Sequence, residues 1–216
     1  MGVDIKFNEE AINAHNAYFD HFANYAIVGS PPCSFSCLCA ACSLRSLHGC
    51  APLAYDAELA QQAQSYAETL AQKNMMVHSH LPGVGENLAT RSSTGPADLS
   101  ATDTSLMWYK EILDYQFTGK DQIACGHFSQ VVWKDTKFAG FGVAKTADGH
   151  GVFVVGQYNP PGNFMGQWGS QVPVPINGLI VVPTADELMR KSIYQNRGLP
   201  LFSVKNTRYL PKLSSM

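Results

Sequence analysis

The sequence predicts an α+β fold, with helices gathered in its first half and antiparallel strands in its second. Up to about residue 113, apolar residues recur at three- and four-residue steps, the period of helices buried on one side. Beyond Phe128 the chain turns to short β-branched and aromatic runs, and Asp148-Gly149 between two of them is a tight-hairpin signal. Helical runs followed by hairpin strands argue against a doubly wound parallel sheet. A length of 216 residues, 45% of them hydrophobic, suits one globular domain with appendages.

The first helix is expected from Asn8, a good capping residue, with Glu9 and Glu10 in its first turn where the helix dipole favours anions. Ala11, Ile12, Ala14, His15, Tyr18 and Phe19 form its stripe. No charge then occurs from Phe22 to Leu44, a length that suggests a membrane-spanning helix. Pro31-Pro32 and Ser30, Ser34, Ser36 and Ser43 argue against one. Four of the six cysteines, Cys33, Cys37, Cys39 and Cys42, crowd into this window, apart from Cys50 and Cys125. Cys39-x-x-Cys42 has zinc-ligand spacing but lacks the usual second pair. The start MGVDIKFNEE does not read as a secretory signal, and Lys6 stands where a myristoylation pattern wants Ser or Thr, so reduced thiols are expected.

A second helix is expected from Asp56 to Asn74, with an alanine-rich face. His78 to Asn87 and Arg91 to Asp98 read as loops, and a third helix runs from about Asp103 through Leu113. Phe128 to Trp133, Phe138 to Thr146 and Val152 to Tyr158 read as strands, and Trp108, Trp133 and Tyr158 as core. A weak helix is expected over Ala185 to Ile193. Charged residues are only 15% and the formal charge is −2, so no basic field marks a nucleic-acid binder. The charge is uneven: up to Phe164 the net is −6, and from Met165 onward +4.

Four motifs occur in order: GENLA at Gly85, WYKE at Trp108, GHFSQVVW at Gly126 and QYNPPGN at Gln157. Together they resemble the CAP superfamily of cysteine-rich secretory, antigen 5 and pathogenesis-related proteins. The resemblance spans about Phe7 to Gly166, which sets an expected CAP domain over 1–166 and a basic C-terminal extension over 167–216. It implies an α-β-α sandwich, with a central antiparallel sheet flanked by helices, and a cleft holding two His and two Glu. By motif these are His78, Glu86, Glu111 and His127. Two neutral imidazoles can ligate a divalent ion, Zn²⁺ or Mg²⁺, with acidic neighbours orienting them and water completing the shell. His80 could replace His78, and His15 is expected to be structural.

Secreted members carry a Cys where Gly156 stands here, so the chain is more similar to the Golgi-associated plant pathogenesis-related-like branch. That implies a peripheral protein on the cytoplasmic face of Golgi membranes, binding anionic lipid or sterol and a protein partner or itself. Cys125, shared with secreted members, leaves unconventional secretion open. Lys205, Arg208 and Lys212 are candidate headgroup contacts, each worth about 1 kcal/mol at a charged surface. The expected function is non-enzymatic binding. The alternatives are a hydrolase with Glu86 or Glu111 as base, or with Ser92 or Ser129 as nucleophile, and a secreted defence or venom-allergen-like protein. Removing Phe19 to Leu44 leaves HNAYRSLHGCAPL, a continuous family-like run, so about 19–44 reads as an irregular insertion.

Overall fold

A computed structural model of the chain describes residues 2–16, 44–189 and 207–209. Helix α1 (Ile5–Asn16) starts before its expected cap, because the Asp4 carboxylate accepts the Phe7 N–H at 2.9 Å. Helix α2 (Ala57–Lys73) matches its sequence signals: Asp56 accepts the N–H groups of Glu58 and Leu59, and Asn74 ends it at φ 46°. Helix α3 (Ala101–Tyr109), capped by Ser100, tightens into a 3₁₀ turn, Lys110–Leu113.

The sheet has the order β1-β3-β4-β2, from β1 (Ala54–Tyr55), β2 (Gly85–Ser92), β3 (Phe138–Lys145) and β4 (Gly151–Asn159). β3 and β2 flank β4 antiparallel, and β1 lies parallel to the start of β3. β1 is too short to cover the outer edge of β3, and two side-chain amides finish the task. Asn8 donates to the Phe141 carbonyl and accepts the Phe141 N–H, both at 2.7 Å. Gln64 does the same for Val143, at 3.0 and 3.1 Å. Each carboxamide carries one donor side and one acceptor, so it substitutes for a strand partner and blunts the edge. Asn8 therefore sits in the core and does not cap α1.

Alternate residues of β3 and β4 serve opposite faces, as the two-residue period of a strand requires. One face, with Ala144, Phe153 and Val155, packs on Ala63, Ala67 and Leu70 of α2. The other, with Ala139, Phe141, Val152, Val154 and Tyr158, packs on Phe7, Ala11 and Ala14 of α1 and on Trp108 of α3. The result is the expected α-β-α sandwich. Gly140 and Gly142 face α2 with no room for a side chain. A Cβ on Gly140 would meet the Ala60 nitrogen at 2.1 Å, and one on Gly142 the Gln64 nitrogen at 2.3 Å. Alanines on the helix and glycines on the strand thus let the backbones touch.

Two expectations of element type fail. GENLATRS, read largely as loop, is strand β2, paired with β4 from Gly85↔Tyr158 to Ser92↔Gly151. Its polar residues hid it, and two of them, Glu86 and Asn87, serve the site below. Phe128 to Trp133, read as a strand, lies mostly in helix α4 (Gly126–Val131). A six-residue uncharged run has no length from which to read a period, and the helix is started by a partner distant in sequence, Glu111.

The C-terminal part contributes α5 (Trp168–Gln171), β5 (Leu179–Val181), α6 (Ala185–Met189) and β6 (Thr207–Tyr209), which pairs with β5. Trp168, Val172, Ile180 and Leu188 are buried in the same core as α1 and α3. The boundary expected at 166 therefore does not bound the core. Residues 17–43, with the four clustered cysteines, lie outside the described residues, as do 190–193 of the expected tail helix. Leu44 and Arg45 donate to the carbonyls of Ala14 and His15, at 3.5 and 3.2 Å, where the next turn of α1 would donate. Leu44, expected to end the inserted stretch, is fully buried and belongs to the core.

Candidate functional site

The four residues singled out in the sequence form two histidine–carboxylate pairs. Glu86 stands near the start of β2, where the strand alternation turns its carboxylate back toward the loop before it. Its Oε1 lies 2.8 Å from His78 Nδ1 and accepts the Ser79 N–H at 2.9 Å. Burial pushes the Glu86 carboxyl up, but hydrogen bonds from His78 and Ser79 outweigh it and hold it below the usual carboxylate value. The bond to Glu86 raises the pKa of His78 in return, against the effect of burial. The Glu86 side chain is 8% exposed, that of His78 50%. Glu86 Oε2 is buried with no hydrogen-bond partner.

The second pair joins the turn after α3 to the start of α4. Glu111 Oε1 lies 2.6 Å from His127 Nδ1, while Oε2 accepts the N–H groups of His127 and Phe128, each at 3.0 Å. One carboxylate thus caps the helix and orients the imidazole it carries. Asn87, next to Glu86 on β2, donates to the His127 carbonyl at 3.1 Å and ties the two pairs together. Asn163 donates to the Gly126 carbonyl at 2.9 Å and accepts the Ser129 hydroxyl at 2.5 Å. Sequence reasoning did not single out Asn87 or Asn163, although both lie in the motifs that carried the family resemblance.

In both pairs the carboxylate engages Nδ1, which leaves Nε2 facing away from it, and in a neutral ring that donates through Nδ1 the lone pair lies on Nε2. A cavity of about 230 Å³ is walled by His78, Ser79, His80, Leu81, Val84 and Glu86, and His127 and Glu111 are not among its walls. Among the described residues, no three His, Cys, Asp or Glu side chains converge closely enough to enclose an ion.

The other candidates lie elsewhere. His15 is buried in the core between the Ala11 carbonyl and the Tyr158 hydroxyl. Ser129 is fully buried and its hydroxyl lies among the Cys125 and Gly126 carbonyls and Asn163, with no histidine among these partners. Ser92 stands at the exposed end of β2. Cys50 and Cys125 are buried free thiols, each with its pKa pushed up by burial.

Residues 42–158 match the family model described as the cysteine-rich secretory protein family, CAP. The human Golgi-associated plant pathogenesis-related protein 1 is 32% identical over 166 residues, 75% of this chain and 88% of the relative. The basic form of pathogenesis-related protein 1 from Nicotiana tabacum is 34% identical over 140 residues, 63% of this chain and 76% of the relative. Among solved structures, that of Na-ASP-1 superposes with a TM-score of 0.53 at 25% identity, over 77% of this chain and 41% of that one.

Proposed function

The chain belongs to the cysteine-rich secretory protein (CAP) family, and we propose that it is a non-enzymatic binding protein whose cleft takes a divalent transition metal. The observation that carries this reading is the pair of imidazoles, each held by a carboxylate through Nδ1 and each with Nε2 free. Metal-ligating histidines commonly donate their other ring nitrogen to a carboxylate in this way. The residues fit such an ion in two further respects. Glu86 offers an unpartnered buried oxygen near His78, and imidazole donors suit Zn²⁺ better than Mg²⁺, which wants oxygen ligands. His78 and His127 are the proposed ligands, Glu86 and Glu111 orient them, and water completes the shell. Such an ion would supply Lewis acidity.

Titration with ZnCl₂ by calorimetry is expected to show binding that disappears in a His78→Ala/His127→Ala double variant. Unchanged heat in that variant would refute the assignment. A hydrolytic reading has weaker support, since the Ser129 hydroxyl is fully engaged in the core.

We propose further that the protein associates peripherally with anionic membranes. Its similarity to a Golgi-associated relative and the net +4 of residues 165–216 support this. No described helix is long and apolar enough to cross a membrane. Lys205 and Lys212 lie outside the described residues, and Arg208 stands in β6. The match to a family described as secretory supports an extracellular location equally. Co-sedimentation with phosphatidylserine vesicles should fall sharply between about 50 mM and about 500 mM salt, as the screening length shortens. Binding that persists at about 1 M salt would show that the attachment is not electrostatic.

A further inference from the structure

Glu86 is a buried carboxylate without a full cation to balance it. Its side chain is 8% exposed, and among the described residues its ion-pair partner is the half-exposed imidazole of His78, with no Lys or Arg in reach. Carboxylates are seldom buried unpaired, because the charge loses its water and gains little in return. Oε1 is occupied by His78 and by the Ser79 N–H, at 2.8 and 2.9 Å, whereas Oε2 has no donor. Glu86 also forms one wall of the cavity of about 230 Å³, and no lysine, arginine or second acid is among the others. Leu81 and Val84 give that cavity an aliphatic side. The rings of His78 and His80 stand 6.4 Å apart on another, tilted by 58°. His80 adopts φ 54°, and this left-handed residue bends the loop around the space.

We propose that this cavity binds a primary ammonium on a short aliphatic stem, the chemistry shared by small alkylamines and the lysine side chain. The ammonium supplies both things Glu86 lacks, a positive charge and a donor for Oε2. Oε2 is screened from solvent, so the carboxylate turns slightly to present it as the ligand enters. One N–H then meets Oε2, and the remaining donors are left for the Ser79 hydroxyl and water. A hydrogen bond between two ions is about twice as strong as one between neutral groups, which offsets the water that both partners lose. The stem lies along Leu81 and Val84. The volume suits a head and a few carbons, not a large ligand. This reading goes beyond the divalent ion proposed above and does not depend on it.

The test titrates the full chain with n-butylammonium chloride, with EDTA present throughout to exclude metal ions. The ring resonances of His78 and His80 should shift saturably. They should not do so with n-butanol, which lacks the charge, or with tetramethylammonium, which has no N–H to donate. Glu86→Gln should weaken binding about tenfold or more, the effect of losing a bond to a charged group. Affinity should rise about two- to fourfold for each methylene from methylammonium to butylammonium, as the stem is buried. Leu81→Ala, a change at an exposed residue, should flatten that series. N-acetyl-lysine amide separates the two sources. Binding as tight as that of butylammonium assigns the cavity to a lysine side chain, and binding more than about tenfold weaker assigns it to a free amine. An equal response to n-butanol, full affinity in Glu86→Gln, or no saturable shift in the unaltered protein overturns the proposal. With EDTA present, none of these outcomes bears on zinc binding.

Discussion

Replacing Arg45 by methionine is expected to destabilise the protein by about 4 kcal/mol, although Arg45 lies far from the proposed metal ligands in the sequence. Its side chain is fully buried. Nη1 donates to the carbonyls of Val131 and Trp133, at 2.9 and 3.0 Å, Nη2 to Thr136 at 3.2 Å, and Nε to Ala51 at 2.7 Å. Val131 is the last residue of α4, so the guanidinium places positive charge where helix carbonyls lack partners and the dipole is negative. It ties the turn at 45–51 to the segment 131–136. Methionine fills much of the volume but leaves the buried Val131 and Thr136 carbonyls without that donor, each costing about 1–3 kcal/mol before relaxation. For a chain of this size that is a fall in melting temperature of about 8–16 °C. Thermal unfolding of Arg45→Met beside Arg45→Lys measures it. Lysine should fall between the two, because one ammonium cannot span the carbonyls that a planar fork reaches. A methionine variant that melts with the unaltered protein would show that the carbonyls find other donors.

Acidification should cost the protein more than any single substitution away from the core. His15 and His48 are buried in matching settings. His15 Nδ1 donates to the Ala11 carbonyl at 2.8 Å, and Nε2 accepts the Tyr158 hydroxyl at 3.0 Å. His48 Nδ1 donates to the Pro173 carbonyl at 2.6 Å, and Nε2 accepts the Tyr109 hydroxyl at 2.9 Å. Both rings are therefore neutral in the fold, and burial lowers each pKa from 6.5 to about 4. The unfolded chain takes up these two protons below pH 6.5 while the folded one does not. Stability is thus full above pH 6.5 and declines as the pH falls toward about 4, by about 3 kcal/mol for each histidine. His78, whose pKa is raised, works in the opposite direction, since its contribution is present below pH 6.5 and fades above it. That ring is half exposed, so its effect is the weaker. Urea unfolding between pH 7 and pH 4.5 should show a steep loss, reduced by roughly half in a His48→Gln variant when each variant is compared with itself at pH 7. Stability that stays level across that range would mean that the two rings are protonated in the fold.

These two cases mark how far the chain could be read without its structure. The alanine stripe of α2 with its Asp56 cap and Asn74 stop, the β3–β4 hairpin around Asp148-Gly149 and the motifs carrying His78, Glu86, Glu111 and His127 were all legible. Each depends on residues close together in the chain, or on a pattern repeated along it. The helix at Gly126–Val131 was not legible, because the carboxylate that starts it belongs to Glu111 on another element. The strand at Gly85–Ser92 was masked by its polar residues, of which Glu86 and Asn87 serve the site. Asn8 read as a cap, yet it serves as a strand partner for Phe141, a residue 133 positions away.

The class of fold, the order of its main elements and the identity of the paired histidines and glutamates were readable along the chain, since periodicity, capping and motif are local properties. Only the tertiary structure decided that the tetrad is two separate pairs joined through Asn87, that His80 shares a cavity with His78, and that residues after 166 complete the core. Those outcomes depend on which polar groups lose water together. That is settled by contacts between residues tens of positions apart, where a buried donor takes whichever acceptor the packed chain sets beside it.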